Sequence, residues 1–198
     1  GNPGDIPAVR ERRAGVQDLG SQIVVETFIS TKSEDRHLRW LDLCAGPGGK
    51  AAYMESLLPD EELIANEPTQ ARATLLAQVV KRSKVKSFDG RDIPKDLGEF
   101  DRILIDAPCT GLGALRRRPE VRWRRKPSDL RSLVELQREL LESAAARITV
   151  GGIIGYATCS PHIAETKMQV NDFLKKHANF ARLKIVARGD SDGDLQLW

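Results

Sequence analysis

The chain has 198 residues, a formal net charge of +3, and is 40% hydrophobic and 30% charged. That composition describes one folded domain with a full core, and it excludes a disordered or fibrous chain. No apolar run reaches the roughly 18–20 residues that span a bilayer, and the opening GNPGDIPAVRERRAG has no signal-peptide core, so a cytoplasmic protein with no membrane partner is expected.

In chain order, helical patterning is expected over 21–30, 49–58, 69–82, 129–150 and 161–177, and strands over 38–43, 62–66, 85–88, 102–105, 152–157 and 182–187. The strands are short apolar runs separated by amphipathic segments. That alternation implies an α/β domain with a doubly wound, mainly parallel sheet covered on both faces. In the segment 129–150, Leu133, Val134, Leu136, Leu140, Leu141, Ala144 and Ile148 recur near helical spacing, with Ser128 as candidate cap and Gly151 as candidate stop. In such sheets ligands lie beyond the carboxyl ends of the strands, at the point where the strand order reverses.

The three cysteines all fall on that rim. Cys44 closes LRWLDLCAG, Cys109 closes ILIDAPCTG, and Cys159 sits in YATCSPH. With no CxxC spacing and three scattered histidines, no metal is expected. Acids also follow the strands: Glu67 after the second, Asp89 after the third, Asp106 after the fourth.

The turn Cys44, Ala45, Gly46, Pro47, Gly48, Gly49, Lys50 leads from the first strand into a helix, where glycines allow close backbone approach and the helix start offers free N–H groups. A P-loop is excluded, because Cys44 and Ala51 stand where it requires glycine and a hydroxyl residue. A dinucleotide site remains open, since Gly46, Gly48 and Ala51 satisfy its spacing and Glu67 follows at a suitable distance. S-adenosylmethionine is served by the same features, with Glu67 for the ribose and Asp89 for the adenine amino group. A hydride enzyme gives no account of two cysteines on the rim, whereas methyl transfer through a nucleophile does.

Carbon 5 of cytosine is a poor nucleophile until a thiolate adds to carbon 6, and a base must later remove the carbon 5 proton so that the thiol departs. This is covalent catalysis. Cys159 precedes Ser160 and Pro161, a cap and first-turn pair, so its thiolate is expected to be favoured by a helix amino end. Cys109 reaches the same cleft from the neighbouring strand. Cys44 is expected to be a small buried residue whose backbone alone faces the cofactor. Asp106 is placed to bind the cytosine amino group or a protonated ring nitrogen, and Lys50 the base or a phosphate. From Arg116 to Lys126, RRRPEVRWRRK sets seven basic residues against Glu120 alone. Arg116, Arg117, Arg118, Arg122 and Arg124 suit phosphates, and Trp123 suits stacking on a base.

VQDLGSQ, LDLCAGPGGK, FDRILIDAPCTGLG, RRRPEVRW and YATCSPH, in this order, resemble the Sun-type RNA cytosine-5 methyltransferases, and among them the bacterial small-subunit rRNA branch. The resemblance runs from Val16 onward. It implies a Rossmann-like class I methyltransferase fold, S-adenosylmethionine as cofactor, and cytosine in RNA, notably rRNA, as acceptor. It implies Cys159 as nucleophile and Cys109 in product release. The implied cofactor contacts are Cys44 to Lys50, Glu67, Asp89 and Asp106. Residues 1–15 are then expected to be a linker or the trailing edge of an amino-terminal RNA-binding domain, and 16–198 the methyltransferase domain, lacking the final strand and acting as a monomer. Thr166 follows Glu165 where many members have asparagine. An oxidoreductase and a non-catalytic RNA-binding module on the same fold are the alternatives.

Overall fold

The computed structural model describes residues 2–11, 13–31, 38–185 and 194–195. Five parallel strands, β1 (Arg39–Asp42), β2 (Glu62–Asn66), β3 (Lys84–Lys86), β4 (Phe100–Asp106) and β5 (Ile148–Ala157), form one sheet in the order β3-β2-β1-β4-β5. Leu41 pairs with Ile64 on one side and Ile103 on the other, so the order reverses beside β1 and β4. The five principal helices are α1 (Leu19–Ser30), α2 (Gly49–Leu57), α3 (Gln70–Val79), α4 (Asp129–Ala145) and α5 (Lys167–Lys176).

The central strands are apolar on both sides because both faces are covered. Leu41, Leu43, Ile103 and Ile105 pack with Leu140, Leu141 and Ala144 of α4. On the opposite face Trp40, Leu63 and Leu104 meet Val25 and Phe28 of α1 and Met54 of α2. Each fully buried side chain of this kind contributes about 1.5–3 kcal/mol by leaving water. Among the described residues no helix is long and apolar enough to cross a membrane.

Four elements begin or end away from the sequence-based expectation, each for a local reason. β3 stops at Lys86 because the Asn66 side chain takes the next backbone groups, accepting from the Phe88 N–H (3.0 Å) and donating to its carbonyl (3.1 Å). α3 ends at Val79, since the Glu55 carboxylate draws in the N–H groups of Lys81, Arg82 and Ser83 at 2.9, 2.8 and 2.7 Å. α4 ends at Ala145, not near Gly151. Ile148, which continues the helical spacing, is instead the first residue of β5, opposite Phe100. The β-branched run Ile148–Thr149–Val150 favours strand, and a bulge with Gly151 at φ 81° restores register at Arg102 and Ile153. Ser128 makes no side-chain cap; the Asp129 carboxylate accepts from the Lys126 N–H instead (3.1 Å).

The fourth departure matters most. Pro161 and His162 are not helical; a single 3-10 turn, Ile163–Glu165, follows, and α5 begins only at Lys167. Cys159 therefore does not sit at a helix amino end. Residues 182–185 form no strand, and 186–187 lie outside the described residues, as do 196–198 at the chain's end.

Candidate active site

All parallel strands deliver their carboxyl ends to one rim. The turn after β1 is shaped by glycines at two points. Gly48 caps α2 with φ 112°, a conformation open to glycine and costly for other residues. Gly46 lies so close to the acid after β2 that a Cβ there would stand 2.0 Å from Glu67 Oε2. Glu67 is 2% exposed, accepts from the Thr69 N–H (3.0 Å) and pairs with Arg72 (3.2 Å), whose guanidinium also donates to the Gly46 carbonyl (3.1 Å). The glycine turn and Glu67 thus form one continuous wall, and a side chain at 46 would force the Glu67 carboxylate and the Arg72 guanidinium out of their places. This cradle suits a nucleoside cofactor.

Asp89 is differently engaged. Its carboxylate is half-exposed, accepts from the Arg91 N–H (3.0 Å) and is gripped by the Arg91 guanidinium, which holds its pKa below the usual carboxylate value. It closes its own turn.

At the switch between β1 and β4, Lys50 Nζ donates to Asp106 Oδ2 (2.7 Å) and to Ser21 Oγ of α1 (3.3 Å). Lys50 is the more enclosed partner, its side chain 16% exposed against 32% for Asp106. It is therefore not a solvated lysine at a helix start. Asp42, one layer below at the end of β1, is fully buried; among the described residues its carboxylate has no side-chain hydrogen-bond partner, and only the Cys44 backbone N–H is directed at it. Burial, then the nearby Asp106 charge, pushes its carboxyl up to about 7, with Lys50 pulling the other way. The sequence signal was an aspartate inside an apolar strand, LDLC, and it went unread.

The two cysteines expected at one cleft are there. Cys109 Sγ and Cys159 Sγ are 3.4 Å apart; Cys109 is buried and Cys159 exposed. The hydrogen bond from Cys109 lowers the Cys159 thiol to about 7, against burial and the Asp106 charge and with help from Lys50. Cys109 moves the opposite way, raised by that same bond, by burial and by the Cys159 charge. Cys159 is thus the more acidic thiol of the pair, and Cys109 the one that holds its proton more tightly. Cys44 is separate from them: burial, reinforced by Asp42 and Asp106, raises its thiol far above the ordinary range. Among the described residues no cluster of three or more metal-ligating side chains occurs.

Several residues around the cysteines escaped sequence reasoning. Arg125 donates to the Cys109 carbonyl (3.0 Å), and Gln137 to the Pro108 carbonyl (2.8 Å). The buried Glu165 accepts from the Thr110 N–H (2.9 Å) and from Gln137 (3.0 Å). Between Cys109 and α4 lies the basic segment, with a single helical turn at Val121–Arg124. Trp123 there is 84% exposed with the Arg122 guanidinium 5.8 Å from its ring centre, so it does not anchor the segment to the core. Arg117 pairs loosely with Asp18 (3.4 Å).

A family profile described as 16S rRNA methyltransferase RsmB/F matches residues 27–194. The chain is 50% identical over its full length to a protein named putative methyltransferase Rv1407 of Mycobacterium tuberculosis, of which it covers 45%. It is 37% identical, over 88% of its length, to the ribosomal RNA small subunit methyltransferase B of Photorhabdus laumondii, of which it covers 41%. The chain thus spans less than half the length of these curated relatives. Among solved structures, NSun6 from Pyrococcus horikoshii with SFG superposes with a TM-score of 0.78 at 26% identity, over 89% of this chain and 46% of that one.

Proposed function

The chain belongs to the RsmB/F family of 16S rRNA methyltransferases, and on that premise we propose that it transfers a methyl group from S-adenosylmethionine to carbon 5 of cytosine in rRNA through a cysteine adduct. The observation that carries the chemistry is the unequal cysteine pair: sulfurs 3.4 Å apart, the exposed one lowered to about 7 and the buried one raised. A cysteine that serves only as core filler has no need of a second thiol as hydrogen-bond donor.

The glycine turn from Cys44 to Lys50 and Glu67 hold the cofactor, with Asp106 at its edge toward the substrate; Asp89 joins them for the adenine once Arg91 releases it. When bound, S-adenosylmethionine supplies an electrophilic methyl group. The remaining steps belong to the protein's own side chains. The Cys159 thiolate adds to carbon 6 of the cytosine, forming a carbon–sulfur bond and making carbon 5 nucleophilic. Asp106, with Oδ2 fixed by Lys50, offers Oδ1 to the cytosine amino group or the protonated ring nitrogen.

Once Cys159 is bonded to carbon, it is no longer an anion and no longer accepts from Cys109. Two of the three influences that raise the Cys109 thiol, the hydrogen bond and the Cys159 charge, then vanish together. Burial alone then still favours its proton, which passes to solvent; once carbon 5 carries the methyl group, the Cys109 thiolate takes the proton from carbon 5. The carbon 5 electrons re-form the double bond, the carbon–sulfur bond breaks, and Cys159 returns as thiolate. One proton is released for each methyl group transferred. Arg116, Arg117, Arg118, Arg122, Arg124 and Trp123 hold the RNA beside the cleft through phosphate contacts and stacking.

The test is a small-subunit rRNA substrate carrying tritium at carbon 5 of cytosine. Incubation with S-adenosylmethionine is expected to release tritium to water in step with methyl incorporation. Methyl incorporation with the tritium retained would place the modification at another atom and end this reading.

A further inference from the structure

We propose that Glu165 is a positioning residue: its buried carboxylate clasps the Cys109 loop to the Cys159 loop and so sets the spacing between the two sulfurs. The proposal rests on the cysteine-adduct reading, in which that spacing governs which thiol is the nucleophile.

Removing a carboxylate from water costs several kcal/mol unless its oxygens are satisfied. Glu165 has no exposed surface, and four donors meet it. The Thr110 N–H (2.9 Å) and Gln137 Nε2 (3.0 Å) reach Oε1, while the hydroxyls of Thr110 and Ser160 both reach Oε2 and lie 3.0 Å from each other. Burial works to raise this carboxyl, but the hydrogen bonds from Ser160, Thr110 and Gln137 outweigh it and keep the group ionised.

The identity of the donors separates this arrangement from an ordinary fold staple. Thr110 directly follows Cys109, and Ser160 directly follows Cys159. Gln137 holds the residue before Cys109 as well, through the Pro108 carbonyl (2.8 Å). One carboxylate therefore grips both cysteines at a remove of one residue, and the Tyr156 hydroxyl fixes Glu165 in turn by donating to its backbone carbonyl (2.8 Å). The 3-10 turn at Ile163–Glu165, in place of a helix start at Pro161, is what turns this side chain inward.

The test reads cysteine reactivity, which needs neither cofactor nor RNA. Glu165→Gln and Ser160→Ala variants are labelled with iodoacetamide across pH, and the Cys159 peptide is followed by mass spectrometry. If the clasp sets the spacing, Cys159 loses its Cys109 donor. Labelling at pH 7 then falls about tenfold in Glu165→Gln and about threefold in Ser160→Ala, with recovery at high pH. Unchanged Cys159 profiles in both variants overturn the proposal. Should Glu165→Gln fail to fold by circular dichroism, Ser160→Ala decides alone: a reduced rate supports the clasp and an unchanged one overturns it. In parallel, Cys109→Ala mixed with S-adenosylmethionine and rRNA reports whether a covalent adduct forms. Loss of the adduct there with a shifted labelling profile counts against the adduct reading and leaves the clasp in place.

Discussion

Cys109 Sγ lies 3.4 Å from Cys159 Sγ although the two are 50 positions apart in sequence, because β4 and β5 are adjacent parallel strands that end at the same level. Asp106 pairs with Ala157 in that register, and the Ala107 N–H donates to the Ala157 carbonyl (2.8 Å), so each chain leaves the sheet with its cysteine pointed at the same gap. The closeness of the thiols is a consequence of strand order. Their inequality follows first from the hydrogen bond between them, which lowers Cys159 and raises Cys109, while burial works to raise both.

That inequality predicts the behaviour of Cys109→Ala. The Cys159 thiol, lowered to about 7 chiefly by the Cys109 hydrogen bond, returns toward the ordinary cysteine value when the donor is removed. Alkylation of Cys159 at pH 7 should slow about tenfold and recover near pH 9. Peptide-resolved labelling rates across pH check it.

Gly46→Ala should damage cofactor binding and stability together. The added methyl would stand 2.0 Å from Glu67 Oε2 and 2.9 Å from Arg72 Nη2, in a wall whose carboxylate is 2% exposed. Overpacking of this kind costs about 1–3 kcal/mol. Calorimetric titration with S-adenosylmethionine should show an affinity loss of about tenfold or more, and thermal melts a lowered Tm.

Asp42 makes stability depend on pH in an unusual direction. Its carboxyl is raised to about 7 in the folded chain from an ordinary 3.8, so the folded state holds the proton more tightly than the unfolded one. The stability this supplies is full below about pH 4 and is lost as pH rises toward 7. Asp42→Asn removes the ionisation while keeping the shape. Denaturant unfolding should find it more stable than the parent at pH 8, by about 1 kcal/mol or more, with the advantage vanishing at pH 4.

The basic segment should act on RNA and not on the fold. Trp123 is 84% exposed, so Trp123→Ala should leave the Tm unchanged while weakening RNA binding by about 1–3 kcal/mol. Arg122→Ala and Arg124→Ala should each reduce the slope of log affinity against log salt by about 0.7–0.9, the loss of one phosphate contact. Filter binding over a salt series measures both.

Much of this architecture was legible in the sequence because it rests on local signals. Apolar runs ending in Cys44, Asp106 and Cys159 marked the strands and their rim, and the glycines after Cys44 marked the turn. The family match excludes the dinucleotide reading that spacing alone left open. Misreadings arose where two periods overlap or where contacts are distant. Ile148 extends the helical spacing of α4 yet pairs with Phe100, since the β-branched run that contains it is claimed by the sheet. Ser160 and Pro161 have the chemistry of a helix start, but the Ser160 hydroxyl is taken by Glu165 and by the His162 N–H (3.1 Å). The sequence points to a helix dipole beside Cys159, whereas in the structure no helix begins there and the group beside it is Cys109. Nothing near Glu165 in sequence announces Thr110, which is 55 positions away.

The central claim is that Cys159 attacks the base and Cys109 releases it. Its most direct test is a denaturing gel of Cys109→Ala and Cys159→Ala variants, each mixed with S-adenosylmethionine and small-subunit rRNA. The account predicts protein covalently held to RNA with Cys109→Ala and none with Cys159→Ala. An adduct that accumulates with Cys159→Ala and is absent with Cys109→Ala would contradict it and exchange the two roles.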